Sequence, residues 1–434
     1  MLRENWQKAT INIRIYAYMR QLMKEARLPA EEVLKIQFSR LKKLLCEVYQ
    51  THPFYQERFD ASRFDPFKMA DISELKNVPV LDKEDYRTLI KSQVKEKGEK
   101  YYRNWFEDCT SGTTGIPLHI LRTWDERAYM LAKWMRVLYL NGYSWRDVTF
   151  SLPSPGHIQR DSIVQRFGIL KRYSIAYTDP LENQVELFLK AKPSVIYGNK
   201  TFLVQLAMYC NENNIKLPQP YLCVSFAEKM DGPSLSVLEK CFGPNCIMEI
   251  YGALEVAIMA YQIKGENYFH MCDTTDIIEV IDENGQDTNY GNALLTNLFI
   301  RSFPMIRYNL RDMLDTEIIN GLPVINKIGG RQDDKIKFAD GKIVPVNIIA
   351  IIMDKWRQEL KQFRVIQEDY DLIRIVVARE ETADQATLES SIIAEMRKEL
   401  RDEGIAYIVD FVDRIPPDPN GKIRMLISRL DERK

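Results

Sequence analysis

The feature of this sequence that most constrains its fold is an alternation, in the middle third of the chain, of short β-rich runs with helical patterns. The β-rich runs span residues 148–152, 194–197, 221–226 and 246–251, and three of them stop at proline or glycine. Helical patterns such as residues 202–211 lie between them. Strands that are separated by helices at this spacing predict an α/β core whose strands are largely parallel.

The patterns on either side of this core are different. The first hundred residues are mainly helical in pattern, and one apolar stripe consists of Leu34, Phe38, Leu41, Leu45 and Val48. From residue 276 onward, strand-like runs alternate with short turns, at residues 276–281, 293–300 and 323–327. This change predicts an antiparallel sheet or a small barrel at the end of the main domain.

The last hundred residues have the pattern of a separate small unit. Strands are predicted at residues 363–367, 372–378 and 405–412, with a helix before the third strand. That helix carries Leu388, Ile392, Met396 and Leu400 on one face. Residues 329–334 combine two glycines with three charged residues, and this makes the segment the best candidate for the domain boundary. The fold class is therefore α/β, with a large N-terminal domain of mixed sheets (residues 1–331) joined by a hinge to a small α+β domain (residues 332–434).

Composition excludes several classes of function. The 434 residues are 45% hydrophobic, enough for a large core, and the formal net charge is -1 with no clustered basic tract. We therefore expect no nucleic-acid partner. The longest apolar run, residues 348–353, is far below the roughly 18 residues of a membrane span. Seven cysteines without a Cys-x-x-Cys pair, and a charged N-terminus that is not a secretory signal, favour a cytoplasmic protein.

The strongest chemical motif is a loop rich in hydroxyl groups and glycine. It reads Thr110, Ser111, Gly112, Thr113, Thr114, Gly115, Ile116 and Pro117. Glycines let such a loop curl, and successive N–H groups can then surround phosphate oxygens. No Gly-Lys-Ser/Thr follows, so this is not a Walker-type loop. A polar surface loop is an equally good interpretation of this segment alone.

Three further segments carry groups suited to a nucleotide. Tyr251-Gly252-Ala253-Leu254-Glu255 follows a predicted strand directly, where an aromatic ring can stack on a base and a carboxylate can bind Mg²⁺. Asp312 lies in the segment 306–312, and its carboxylate could accept two hydrogen bonds from a ribose. Lys422 follows an Asn-Gly turn near the C-terminus. Taken singly, these are better explained as a core tyrosine, a surface Arg–Asp pair and an exposed hairpin lysine.

Together, in this order and approximate spacing, the segments resemble the adenylate-forming superfamily of acyl-CoA ligases, peptide-synthetase adenylation domains and luciferases. The phenylacetate-CoA ligase family and its capsule-biosynthesis relatives are the most similar. The N-terminal stretches 41–45, 52–59 and 80–85 share this likeness, which covers roughly residues 36–430. Each motif alone is modest, whereas several in the same order are not expected by chance.

The resemblance implies a role for each matching position. Residues 110–115 would form the phosphate-binding loop, and Asp312 would bind the ribose hydroxyls with help from Arg331. The segment 225–229 would line the adenine pocket. Tyr251 would stack on adenine. The other residues implied to contact the nucleotide are Ala227, Glu228, Lys229 and Gly252.

The same resemblance implies the catalytic groups and one moving part. Glu255 would hold Mg²⁺, and Lys422 would be the lysine of the adenylation step. Asp333 resembles the hinge about which the small domain rotates. Leu254 departs from the family pattern, because threonine is usual there and often contacts the α-phosphate. No cysteine cluster follows Asp312, so we expect no zinc site.

The implied activity is ATP-dependent activation of a carboxylic acid to an acyl-adenylate, with release of pyrophosphate and transfer to the CoA thiol. ATP, Mg²⁺ and CoA are the expected cofactors. An aromatic or small polar acid is favoured over a long fatty acid. Two alternatives stay open: transfer to a carrier-protein thiol or an amine, and a degenerate nucleotide-binding homologue. The oligomeric state is also open, with a homodimer among the options.

Overall fold

The computed structural model describes residues 6–7, 10–109, 119–155, 158, 163–331, 334–400, 404–418 and 421–430. The predicted loop Thr110–Gly115 and the hinge residue Asp333 lie outside this part of the chain. Backbone contacts divide the protein into two compact units. The first unit comprises Met1–Gly142, Tyr251–Tyr261 and Asn267–Lys327, and the second comprises Tyr143–Ile250, Gln262–Glu266 and Ile328–Lys434.

The first unit begins with helices, as the sequence predicts. The predicted stripe is confirmed at Leu41, Leu45 and Val48, which are fully buried, but Leu34 is 42% exposed and the neighbouring Val33 is buried instead. The helices of this unit are α1 Ile11–Glu25, α2 Ala30–Thr51, α3 Pro53–Ala61, α4 Lys83–Lys97, α5 Glu99–Tyr102 and α6 Trp124–Leu140, with a 3₁₀ helix at Ile72–Asn77.

The strands of the first unit pair in antiparallel fashion. The pairs are β1 with β2, β8 with β9, β9 with β13, β10 with β11, and β11 with β12. This arrangement confirms the antiparallel sheet expected beyond residue 276. The strands are β1 Phe106–Cys109, β2 His119–Arg122, β8 Ala257–Tyr261, β9 Phe269–Met271, β10 Asp276–Ile281, β11 Tyr290–Asn297, β12 Tyr308–Ile319 and β13 Leu322–Arg331, whose last residues belong to the second unit.

The second unit contains the predicted parallel core. Its strands lie in the order β4-β3-β5-β6-β7, and all four neighbouring pairs run parallel. Apolar side chains from strand β5 and helix α9 pack together, among them Ile196, Leu203 and Leu206. The strands are β3 Thr149–Ser151, β4 Arg172–Ser174, β5 Val195–Asn199, β6 Leu222–Phe226 and β7 Ile247–Ala253, and the helices are α7 Ile163–Arg166, α8 Leu181–Ala191, α9 Lys200–Glu212 and α10 Gly232–Phe242.

The C-terminal residues of the second unit form their own sheet and core. A four-stranded sheet has the order β18-β17-β16-β19, and α12 buries Leu388, Ile392, Met396 and Leu400, as predicted. The elements are β14 Lys335–Lys337, β15 Ile343–Pro345, α11 Val346–Asp354, β16 Leu360–Asp369, β17 Leu372–Arg379, α12 Gln385–Leu400, β18 Ala406–Phe411 and β19 Leu426–Ser428.

The fold class is therefore confirmed as α/β with mixed sheets and a small α+β region at the C-terminus. Backbone contacts group residues 143–250 with residues 328–434. The division at residue 331 into a large domain and a mobile small one stays a prediction. No helix in the described part of the chain combines the length and apolar character that a membrane span requires.

One buried ion pair ties a helix of the first unit to its antiparallel sheet. The ammonium of Lys133 in α6 lies 2.6 Å from a carboxylate oxygen of Asp276 at the start of β10, and each side chain is 1% exposed. The Thr275 hydroxyl donates to the same Asp276 oxygen, and the Asn297 amide donates to the other. The carboxylate is thus fully hydrogen-bonded, which is the condition under which a buried ion pair is tolerated.

Replacing Lys133 by methionine is expected to destabilise the protein by about 3–5 kcal/mol, because it leaves the Asp276 charge buried without its partner. Denaturant unfolding followed by circular dichroism measures the loss. Lys35→Met is the control, since Lys35 is exposed and its loss should change stability by no more than about 0.5 kcal/mol. Equal stability of the two variants would contradict the expectation.

Candidate active site

A tight turn follows strand β7 and carries two of the predicted site residues, Leu254 and Glu255. At Gly252 an added Cβ would lie 2.3 Å from the carbonyl oxygen of Ala257, so no side chain fits there. The turn is closed by a hydrogen bond from the Val256 N–H to the Ala253 carbonyl. Gly252 is therefore required by the close approach of two backbone segments.

Arg122, at the end of β2, holds this turn. Its guanidinium is almost fully buried, pairs with the Asp108 carboxylate and donates to the backbone carbonyls of Leu254 and Glu255. The pattern of the sequence did not single out Arg122. A charged residue between the apolar positions of a strand that directly follows the glycine-rich loop is the signal that could have found it.

Glu255 is half-buried at this turn, and its backbone carbonyl accepts from Arg122. Its carboxylate has no hydrogen-bond or ion-pair partner among the described residues. Mg²⁺ in nucleotide sites is commonly held by one or two carboxylates together with phosphate oxygens and water. An unengaged carboxylate fixed on a short turn fits that donor set.

Two residues predicted for different parts of the nucleotide are in direct contact. The hydroxyl of Tyr251, at the end of β7, donates a 2.6 Å hydrogen bond to Asp312 in β12. Tyr251 is 8% exposed, so its ring has little freedom to turn. The structure thus brings the predicted adenine-stacking ring and the predicted ribose-binding carboxylate together, although their roles stay predictions.

Arg307, in the segment that leads to Asp312, has a structural role. It is buried, donates to both carboxylate oxygens of Glu279 and to the backbone carbonyls of Lys76 and Val78. Burial raises the pKa of the Glu279 carboxyl, and Arg307 opposes that rise. The segment preceding Asp312 is therefore anchored to β10 and to the loop after the 3₁₀ helix.

In the second unit, the segment after β6 meets the predicted adenylation lysine. Ala227 has a positive φ of 66°, and its carbonyl accepts a 3.2 Å hydrogen bond from the ammonium of Lys422. Glu228 accepts from the backbone N–H and the hydroxyl of Thr201, the second residue of α9. Ala227, Glu228 and Lys422 therefore lie together, and they are joined by Thr201, which the sequence pattern did not single out. The roles of the first three stay predictions.

The turn before Lys422 is fixed within the C-terminal sheet. The Gly421 N–H donates to the Asp418 carbonyl, and the Asp418 N–H donates to the Lys422 carbonyl. The Asp418 carboxylate is paired with Arg364 of β16 and with Arg424. Pro419 and Asn420 of the predicted Asn-Gly turn lie outside the described residues.

Partial burial lowers the pKa of the Lys422 ammonium, because the charged form loses hydration. The carboxylate of Glu228 opposes this effect, and the positive charge of Arg331 at the end of β13 adds to it. Arg331 is thus close enough to Lys422 to influence it electrostatically. The Lys422 ammonium is therefore more readily deprotonated than that of an exposed lysine.

Comparison with known proteins relates these features to a class of enzymes. A family model described as the CapK C-terminal domain matches residues 336–429. A phenylacetate-coenzyme A ligase of Aromatoleum evansii is 23% identical over 343 residues, which cover 74% of this chain and 76% of the relative. Another, from Thermus thermophilus, is 22% identical over 407 residues, which cover 87% of this chain and 85% of the relative.

Solved structures show the same relationship at the level of the fold. A 2-hydroxyisobutyryl-CoA ligase in the postadenylation state superposes with a TM-score of 0.74 at 19% identity, covering 93% of this chain and 91% of the other. An anthranilate CoA ligase in complex with anthranoyl-AMP has a TM-score of 0.56 at 16% identity, covering 74% and 65%.

This chain therefore has the fold of the adenylate-forming ligases. Its resemblance to the phenylacetate-CoA ligases and their capsule-biosynthesis relatives, inferred above from short motifs, is confirmed by the curated relatives and by the matching C-terminal domain.

The lowered pKa of Lys422 is testable without knowing any substrate. Amine-directed labelling, quantified peptide by peptide over a pH series, should reach its half-maximum at a lower pH for Lys422 than for an ordinary lysine, because only the neutral amine reacts. Lys35 is the control: two glutamates raise its pKa, so its labelling should rise at higher pH. Labelling of Lys422 at or above the pH found for Lys35 would contradict the prediction.

Proposed function

We propose that this protein activates a carboxylic acid with ATP, forming an acyl-adenylate and pyrophosphate, and then transfers the acyl group to the thiol of CoA. The observation that carries the proposal is the contact between Tyr251 and Asp312, together with the unengaged carboxylate of Glu255, four residues after Tyr251 in the sequence. A base-stacking ring, a diol-binding carboxylate and a metal-binding carboxylate are the groups that a nucleotide with Mg²⁺ requires.

In this proposal each part of the nucleotide has its own binding group. The ring of Tyr251 stacks on adenine, and Gly252 allows the backbone to approach it. Asp312 accepts hydrogen bonds from the ribose hydroxyls, with Arg331 assisting. The backbone of residues 227–229 lines the base, and residues 110–115 bind the phosphates through their N–H groups. Mg²⁺, when bound at Glu255, supplies positive charge at the phosphate oxygens.

The first reaction step is attack by a carboxylate oxygen of the acid on the α-phosphorus. The bond from the α-phosphorus to the bridging oxygen of pyrophosphate breaks, and an acyl phosphate bond forms. Negative charge is spread over the phosphoryl oxygens as this happens. The ammonium of Lys422, held on the Ala227 carbonyl, stabilises that charge without reorganisation at the moment of reaction.

The second step requires a thiol at the carbonyl carbon of the acyl-adenylate. The thiolate adds there, and AMP leaves as the carbon–oxygen bond of the mixed anhydride breaks. Because the acyl-adenylate hydrolyses readily, water must be excluded while it is held. Rotation of residues 332–434 about Asp333 removes Lys422 and admits the thiol. An aromatic or small polar acid is the proposed substrate class.

A second acceptor is suggested by the resemblance to capsule-biosynthesis relatives, and residues 336–429 match the CapK C-terminal domain. In this alternative the adenylate reacts with an amine or with a carrier-protein thiol, in polysaccharide or natural-product biosynthesis. A third possibility is a degenerate nucleotide-binding homologue. The observation relevant to it is Leu254, which is 41% exposed and stands where threonine is usual in the family. It lacks the hydroxyl that a threonine would offer to the α-phosphate.

Adenylation is tested by ATP–pyrophosphate exchange across a panel of aromatic and small polar acids. We expect exchange that depends on the acid, and Lys422→Ala should lower its rate by about 10²–10³-fold because one positive group at the developing charge is lost. Lys216→Ala is the matched control, since Lys216 is an exposed lysine of the same unit. Unchanged exchange in the Lys422 variant would remove this lysine from the mechanism.

The acceptor is identified with the acid that gives exchange. Formation of a thioester only when CoA is present would support the CoA ligase. Steady pyrophosphate release that is stimulated by an added amine, with no thioester from CoA, would favour the alternative acceptor. Nucleotide binding with no exchange for any acid would favour the degenerate homologue, and Leu254→Thr should then be tested for restored exchange.

A further inference from the structure

The backbone next to Lys422 is held by the first turn of helix α9. We call residues 421–423 the lysine segment. The N–H of Ile423 donates to the hydroxyl oxygen of Thr201 at 3.2 Å and to a carboxylate oxygen of Glu228 at 3.3 Å. The contact is buried, and the segment contributes main-chain atoms to it, so it fixes the path of the chain and not only one side chain.

Thr201 and Glu228 are already bonded to each other without the lysine segment. The Thr201 hydroxyl donates to Glu228 at 2.6 Å, and the Thr201 N–H donates to the other carboxylate oxygen at 3.2 Å. The single hydroxyl proton is thus used, and the oxygen is left to accept from Ile423. The pair therefore forms a fixed acceptor, which we call the Thr201–Glu228 receptor.

The surroundings of the receptor restrict the lysine segment further. An added Cβ at Gly421 would lie 3.0 Å from the ring of Phe202, and Phe202 stacks on Tyr177 with ring centroids 3.7 Å apart. Gly421 also has a positive φ of 79°, which favours glycine. At Gly421 the segment passes over this aromatic pair so closely that a side chain there would push on the ring of Phe202.

The base of the receptor is fixed by a buried ion pair. Lys200, the first residue of α9, lies 2.7 Å from Asp231, and both side chains are at most 6% exposed. Asp231 in turn caps α10 by accepting from the Ser234 N–H. The two ends of the receptor, α9 and the segment 228–231, are therefore held in place independently of the lysine segment.

We propose that Thr201 and Glu228 are positioning residues that dock the lysine segment for the adenylation step and release it for the thiol-transfer step. The inference rests on the proposed function, because it assigns Lys422 to adenylation. The receptor keeps both of its internal hydrogen bonds when the segment leaves, so only the bonds of Ile423 and Lys422 must be broken. Docking that is specific and reversible is what an alternation between two steps requires.

We expect one substitution to affect the adenylation step and the thiol-transfer step differently. Thr201→Val keeps the β-branched shape and the backbone N–H but removes the hydroxyl. It should lower the rate of ATP–pyrophosphate exchange by about 10–100-fold, since displacing a catalytic group by about 1 Å has this order of effect, with the KM for ATP nearly unchanged. Thioester formation from a synthetic acyl-adenylate and CoA should stay within about threefold of wild type.

Two controls show that the effect passes through Lys422. Thr201→Ser retains the hydroxyl and should restore most of the exchange rate. In a Lys422→Ala background, Thr201→Val should cause no further loss, because residues that act through one group are not additive. Glu228→Gln keeps an acceptor oxygen and should give a smaller loss than Thr201→Val.

Limited proteolysis tests the docking without requiring any catalysed reaction, so it distinguishes this inference from the proposed function. Trypsin cleaves after Lys422 and Arg424, and docking protects the bond that follows Lys422. Cleavage there should be faster in Thr201→Val than in wild type or Thr201→Ser, with thermal unfolding unchanged. That result would support docking even if no acid gives exchange. Equal cleavage rates, or equal loss in both half-reactions, would overturn the positioning role.

Discussion

The buried guanidinium of Arg122 is the interaction on which the turn that carries Glu255, the predicted Mg²⁺ ligand, depends. It neutralises Asp108 of β1 and donates to the two carbonyls of the turn that carries Glu255. Because a buried cation needs hydrogen-bond acceptors, a shift of the turn would take two acceptors away from the guanidinium. The chain on both sides of the loop 110–118 is thereby tied to the Glu255 turn.

A second fixed framework lies in the second unit, beside the proposed adenylation lysine. The ion pair of Lys200 with Asp231 and the carboxylate of Glu228 together anchor the first turn of α9. Both frameworks consist of hydrogen bonds and ion pairs within the protein. Preorganised dipoles and charges lower the barrier of phosphoryl chemistry because they need not reorient during the reaction. The proposed enzyme would thus have rigid binding groups and one moving part, the lysine.

Sequence patterns predicted the elements of the fold better than their contacts. The strand at Asp276–Ile281 was predicted with its observed bounds, because its β-branched residues and flanking turns act locally. Strand β4, Arg172–Ser174, was missed because three residues carry no period. On α2, Leu34 was placed on the buried face but lies outside it, since the drift of 3.6 residues per turn moves the face by one position.

The site shows the same division between local and long-range information. Short motifs identified Tyr251, Asp312 and Lys422, because each stands in a recognisable local segment. That the tyrosine hydroxyl binds the aspartate, and that Ile423 meets Thr201, depends on residues 61 and 222 positions apart. No local pattern encodes such pairs. Arg122 was missed for a related reason. Its side chain donates to backbone carbonyls, and because every residue has a carbonyl, the sequence does not show which of them need a side-chain partner.

The close packing at Gly252 has a consequence for how this site can diversify. Tyr251 lies directly before the glycine, and Glu255 lies three positions after it. The backbones of β7 and β8 approach so closely at Gly252 that no side chain fits between them. A change in the backbone here would move Tyr251 and Glu255 together. In the proposed function, nucleotide preference and metal preference would therefore be inherited as one trait. Acid and acceptor specificity can vary freely only in segments that this turn does not constrain.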